Sequence, residues 1–149
     1  MPARPARAAL IAVVIAFGGA QAPAQFAAVT LDDYSGEELF ERFCASCHGA
    51  GARGNGPVAG TLNVSVPDLT TIRVRYGEFR EGMIRDVIDG RGIDMQAHGT
   101  RTMPVWGYEF WVEEGADVNA QKSVREAITK LVEHLRSLQR SEDEVRGPR

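Results

Sequence analysis

Thiols are scarce in this chain: its 149 residues include two cysteines, Cys44 and Cys47, both inside FCASCHG at residues 43–49. So few exclude a disulfide-stapled scaffold. Aromatic residues reach only 7%, which leaves a protein core little bulk of its own. No run of alternating polar and apolar residues marks a strand, and no internal repeat marks a solenoid. A net charge of −3 gives no basic surplus for a nucleic-acid binder. What remains is ordinary, with 44% hydrophobic and 25% charged residues, enough for one globular domain.

The first residues read as an export signal. Arg4 and Arg7 precede the unbroken apolar stretch AALIAVVIAFGGA, and small residues follow in AQAPAQ, with cleavage expected after Ala24. Ala8 to Ala20 falls short of the roughly 20 residues that span a bilayer. No charge appears between Arg7 and Asp32, however, so an uncleaved membrane anchor stays as the alternative. Removing residues 1–24 leaves 15 basic and 20 acidic side chains, of which only Lys122 and Lys130 are lysines. The reading is a signal over 1–24, a short linker over 25–32, one domain over 33–140 and a charged, frayed tail over 141–149.

Within the domain, SGEELFERFC opens with a capping box, Ser35 and Glu38, and carries Leu39, Phe40, Phe43 and Cys44 on one helical stripe. The cysteine pair therefore rides at the end of a helix, which the glycine-rich HGAGARGNGP stops. That loop lacks the Gly-Lys-Ser/Thr ending of a phosphate cradle and follows no strand. Residues 61–77 read as irregular, with a short helix in DLTTI. A helix is expected in EFREGMIRDVIDG, one or two turns in YEFWVEEG, and a long amphipathic helix in NAQKSVREAITKLVEHLRSLQR. Residues 91–107 show no period, and a stretch of that length in a small domain usually serves a function. The domain is all-α with long loops.

Three chemistries use Cys-x-x-Cys-His: a redox disulfide, a zinc site, or covalent haem attachment. A dithiol catalyst places its cysteines where a strand meets a helix, and no strand precedes these. A closed zinc site needs four ligands, and His98 and His134 make no second local pair. On a helix, positions 44, 47 and 48 share one face. Two thiols can then add to the vinyl groups on one haem edge while His48 reaches the iron.

With these residues the chain resembles a small class I c-type cytochrome over residues 33–140. The resemblance implies a cytochrome c-like fold, N- and C-terminal helices packed with shorter helices and long loops around one covalently bound haem c. It places Gly36, eight residues before Cys44, against the last helix, and it assigns the carbonyl of Pro57 to His48 Nδ1. His134 stands where the family usually carries an aromatic. The family's sixth ligand is a late-loop methionine often followed by proline, which points to Met103 and Pro104. Met95 and His98 are the competing ligands, while Met83 lies on a helical stripe and reads as core.

Expected walls for the haem are Phe40, Phe43, Leu69, Ile72, Met83, Val87, Ile88 and Trp106, and Arg91 or Arg101 is expected to pair with a propionate. Iron ligated by His48 and Met103 has no open position, which implies a periplasmic electron carrier, not an enzyme. Its partners would be a dehydrogenase, an oxidase or a membrane cytochrome complex, with a basic or neutral docking patch. The alternative is a haem sensor or peroxidase-like protein in which Met103 dissociates.

Overall fold

The computed structural model describes residues 29–92 and 102–147. Its first long element begins with the expected cap. Ser35 Oγ accepts from the Glu38 amide at 3.2 Å, and the Ser35 amide donates to Glu38 Oε2 at 2.7 Å. Helix α1, Gly36–Phe43, runs into α2, Ala45–His48, across a break at Cys44 where φ widens to −116°. Then come α3, Ile72–Tyr76; α4, Glu81–Asp89; α5, Trp106–Glu113; α6, Ala120–Ser137; and α7, Glu142–Arg146. Short 3-10 turns join them, and no strand occurs among the described residues. The all-α expectation holds.

Helix α6 is the beam against which the others pack. Its stripe of Val124, Ile128, Leu131 and Leu135 is buried, each contributing about 1.5–3 kcal/mol when removed from water. Helix α1 crosses it at Gly36, where an added Cβ would lie 2.8 Å from the Lys130 carbonyl carbon and 3.0 Å from His134 Cβ. Only a glycine lets the two backbones come that close. One turn later, buried Phe40 sets its ring 5.4 Å from the His134 imidazole, so the histidine takes an aromatic's packing role.

Both ends of the domain differ from the sequence reading. Leu31, placed in the linker, is 2% exposed and belongs to the core. Its amide donates to Glu114 Oε1 at 2.7 Å, and Lys130 Nζ donates to the carbonyls of Asp32 and Tyr34 at 2.8 and 2.9 Å. Ordered packing thus starts before residue 33. At the other end, the segment expected to fray forms α7, because Ser141 and Glu144 build a second capping box. The box was readable as Ser-x-x-Glu, but the run of charges in SEDEVRGPR reads as a tail.

Past α6, Gln139 and Arg140 fasten the segment that leads into α3. Gln139 Nε2 donates to the Leu69 carbonyl at 2.8 Å, and its Oε1 accepts from the Arg73 amide at 3.0 Å. The Arg140 amide and Nε both reach Thr70 at 2.9 Å, and Nη2 reaches Asp68 Oδ2 at 3.3 Å. A polar staple between residues 66–72 positions apart thereby fixes Asp68, Leu69 and Thr70, the residues that follow Pro67.

Candidate functional site

Helix α2 ends with four carbonyls that have no partner inside the helix. The glycine-rich loop supplies all four. Amides of Gly49, Val58, Gly56 and Gly54 donate to the carbonyls of Ala45, Ser46, Cys47 and His48 at 2.8, 3.1, 3.0 and 2.8 Å. Such wrapping demands close approach: a Cβ on Gly56 would sit 2.6 Å from the Ala45 oxygen. Glycine density here serves to cap the turn that carries Cys44, Cys47 and His48.

The same loop places the histidine's partner. Gly54, at φ +75°, lets the backbone of Val66 and Pro67 pass against it, and the Leu69 amide donates to the Ala52 carbonyl at 2.7 Å. Pro67 thereby presents its carbonyl to His48 Nδ1 at 3.4 Å. A carbonyl only accepts, so the proton is on Nδ1 and Nε2 is left with its lone pair. This corrects the assignment to Pro57. The Gly56 amide turns back to Cys47, which leaves Pro57 exposed at the loop's outer bend. The chain needs ten more residues to return over the imidazole. Burial lowers the His48 pKa, against the opposing pull of the Pro67 bond, and keeps the ring neutral.

Two apolar cavities meet at this ring. The first, of about 220 Å³, is lined by Phe43, Cys44, Cys47, Leu62, Val64 and Trp106, among others. The second, of about 180 Å³, is lined by Leu69, Ile72, Met83, Ile84, Val87 and Ile88, among others. His48, Pro67 and Met103 line both. A flat apolar macrocycle with a central metal needs such a plan: imidazole and thioether at the waist, apolar walls to either side and two thiols at one edge. The donor set and its surroundings fit haem c.

Most of the expected walls are cavity residues, and Phe40 is the exception. It lines neither cavity because α1 turns it inward onto His134. Phe43 faces the first cavity instead, its ring 5.6 Å from Trp106 and 5.0 Å from Phe110. Arg91 is also corrected. Its guanidinium donates twice to Asp89 and once to Gln121, and it lines neither haem cavity. Among the described residues, the arginine that lines one is Arg75, exposed in α3 and donating to the Asp68 carbonyl at 3.0 Å. Sequence reasoning missed it because residues 61–77 showed no period. The available hint was a basic residue beside Tyr76. Met95, His98 and Arg101 lie outside the described residues.

Neither competing chemistry gains support. Burial, reinforced by the neighbouring Cys47, pushes the Cys44 thiol up to about 12, opposite to the shift a dithiol catalyst requires. Among the described residues, no group of three or more His, Cys, Asp and Glu side chains comes together to hold a metal.

No curated protein and no solved structure matches the chain. A family model does: Cytochrome c, over residues 35–139. The cofactor of that family is covalently bound haem c, and Cys44, Cys47 and His48 fit its attachment motif. With the match spanning α1 to the end of α6, this chain belongs to the cytochrome c family.

Proposed function

We propose that the protein carries single electrons between redox proteins, with haem c that Cys44 and Cys47 would hold as thioethers and His48 and Met103 would ligate through iron. The observation that carries this reading is the shared lining of the two cavities: imidazole and thioether both stand where they meet. Bound haem supplies a one-electron ferric/ferrous couple, whose potential methionine ligation raises.

The chain's own part is to orient and to exclude. Pro67 holds the His48 tautomer, and the capped α2 turn holds the two cysteines in register with it. Leu62, Val64 and Val66 keep water from the cysteine edge. Arg75, placed at the solvent side of the second cavity, is the residue to pair with a propionate.

The cysteine edge is also the docking face. Residues 54–67, GNGPVAGTLNVSVP, carry no charge, and Val58 and Val64 are exposed within them. Acidic residues cluster elsewhere, with Glu37, Glu38 and Glu41 on α1 and Glu109 and Glu113 on α5. A partner for this face presents an apolar contact with a neutral or basic surround, and salt slows encounter more than it weakens the docked state. Residues 1–24 have the makeup of an export signal, which suits a periplasmic carrier working beside a dehydrogenase, an oxidase or a membrane cytochrome complex.

Carbon monoxide added to the reduced holoprotein at neutral pH tests the closed iron. No binding is expected. Prompt binding would favour the sensor or peroxidase-like reading, in which Met103 leaves the metal.

A further inference from the structure

The geometry around Gly107 points to a second device that governs the site from outside it. Arg91 and Asp89 meet fork to fork, with Nε–Oδ1 at 2.6 Å and Nη2–Oδ2 at 2.8 Å. Gly107, buried in the first turn of α5, lies directly beneath the pair: an added Cβ would come within 2.6 Å of Arg91 Nε and 2.7 Å of Asp89 Cγ. Arg91 Nη1 also donates to Gln121 Oε1 at 3.0 Å, near the start of α6. Three helices converge on one guanidinium.

The place matters more than the pair. Asp89 and Arg91 close α4 just before residues 93–101, and Gly107 opens α5 four residues after Met103. The pair therefore ties the chain on one side of that segment to the chain on the other. Gly90, at φ +71° in the C-cap of α4, turns Arg91 back toward Asp89. We propose that Asp89 and Arg91, bearing on Gly107 and tied to Gln121, are positioning residues that set how firmly the Met103 thioether stays on the iron. This inference rests on the proposed Met103 ligation.

The test is an alkaline titration of oxidised holoprotein, following the far-red iron–sulfur absorption. In Asp89→Asn, Arg91→Ala and Gly107→Ala the band is expected to vanish at a midpoint roughly one pH unit lower, a tenfold weaker hold on the thioether. Arg91→Lys keeps the charge but loses the fork, and should recover only part of that shift. Arg146→Ala, which removes an exposed pair with Glu142 on α7, should not move the midpoint. If Gly107→Ala does not fold, Arg91→Lys and Gln121→Ala add no atom at Gly107 and still decide. Unchanged midpoints across the clamp variants, even with lowered thermal stability, would overturn the positioning role. A far-red band missing from the unaltered protein would instead overturn the ligation, and this inference with it.

Discussion

On the His48 side of the site the chain is held by its own backbone. Amides of Gly49, Gly54, Gly56 and Val58 close on α2, and a proline carbonyl meets the imidazole. On the Met103 side the work falls to side chains: the Asp89–Arg91 fork at Gly107, and the ring cluster of Phe43, Trp106 and Phe110 in the core against which Met103 packs. The first arrangement depends on space for main chain, so glycine is its sensitive residue. The second depends on side-chain shape and charge, so large-to-small changes damage it, as does filling the space at Gly107 beneath the fork.

The largest expected effect falls on the side-chain half. Phe110 is fully buried, and Phe110→Ala should cost about 3–5 kcal/mol in denaturant unfolding of the holoprotein. A loss under 1 kcal/mol or so would show that the aromatic cluster does not hold this half. Next comes Gly56→Ala, expected to cost about 1–3 kcal/mol because its methyl meets the carbonyls of α2. Arg53→Ala on the same loop should stay within about 0.5 kcal/mol. Equal effects from these two would show that close main-chain approach is not what holds this half.

The polar staple behind Pro67 predicts a smaller, pH-dependent term. Burial pushes the Asp68 carboxyl up, but hydrogen bonds from Thr70 and the charges of Arg140 and Arg53 outweigh it, leaving the pKa below 3.8. A depressed carboxyl contributes stability above its unfolded value and loses it as pH falls through the folded one. The staple should therefore hold at neutral pH and fail below 3.8, by less than about 1 kcal/mol. Acid unfolding of Arg140→Ala, compared with the unaltered protein, checks it: the two should converge only in acid.

Smallest is the effect at His134. Burial lowers its pKa, against the opposing charges of Glu37 and Glu41. The fold favours the neutral ring, so stability falls as pH drops below 6.5 and the imidazole must take a proton. His134→Phe should remove that slope, seen as thermal midpoints that change less between about pH 8 and pH 5. A retained slope would assign the pH response to other groups.

How far the sequence could be read follows the same division. Ser35 and Glu38 announced α1, and the stripe from Val124 to Leu135 announced α6, because caps and periodicity are local. The CxxCH segment was equally plain, since its meaning lies within five residues. Pro67 was missed for Pro57 because the choice depends on where Gly54 and Ala52 bring the returning chain, a contact across tertiary space. Arg91 was misplaced for a related reason: its carboxylate lies two residues away, yet nothing local says that Gly107 would pack beneath the pair. The capping box at Ser141 was legible, but the charges around it read as a tail.

The central claim is that His48 and Met103 together close the iron, and the far-red absorption of oxidised holoprotein tests it most directly. The band should be present in the unaltered protein and in Met95→Ala, and absent in Met103→Ala with haem still covalently attached. Its survival in Met103→Ala would contradict the account.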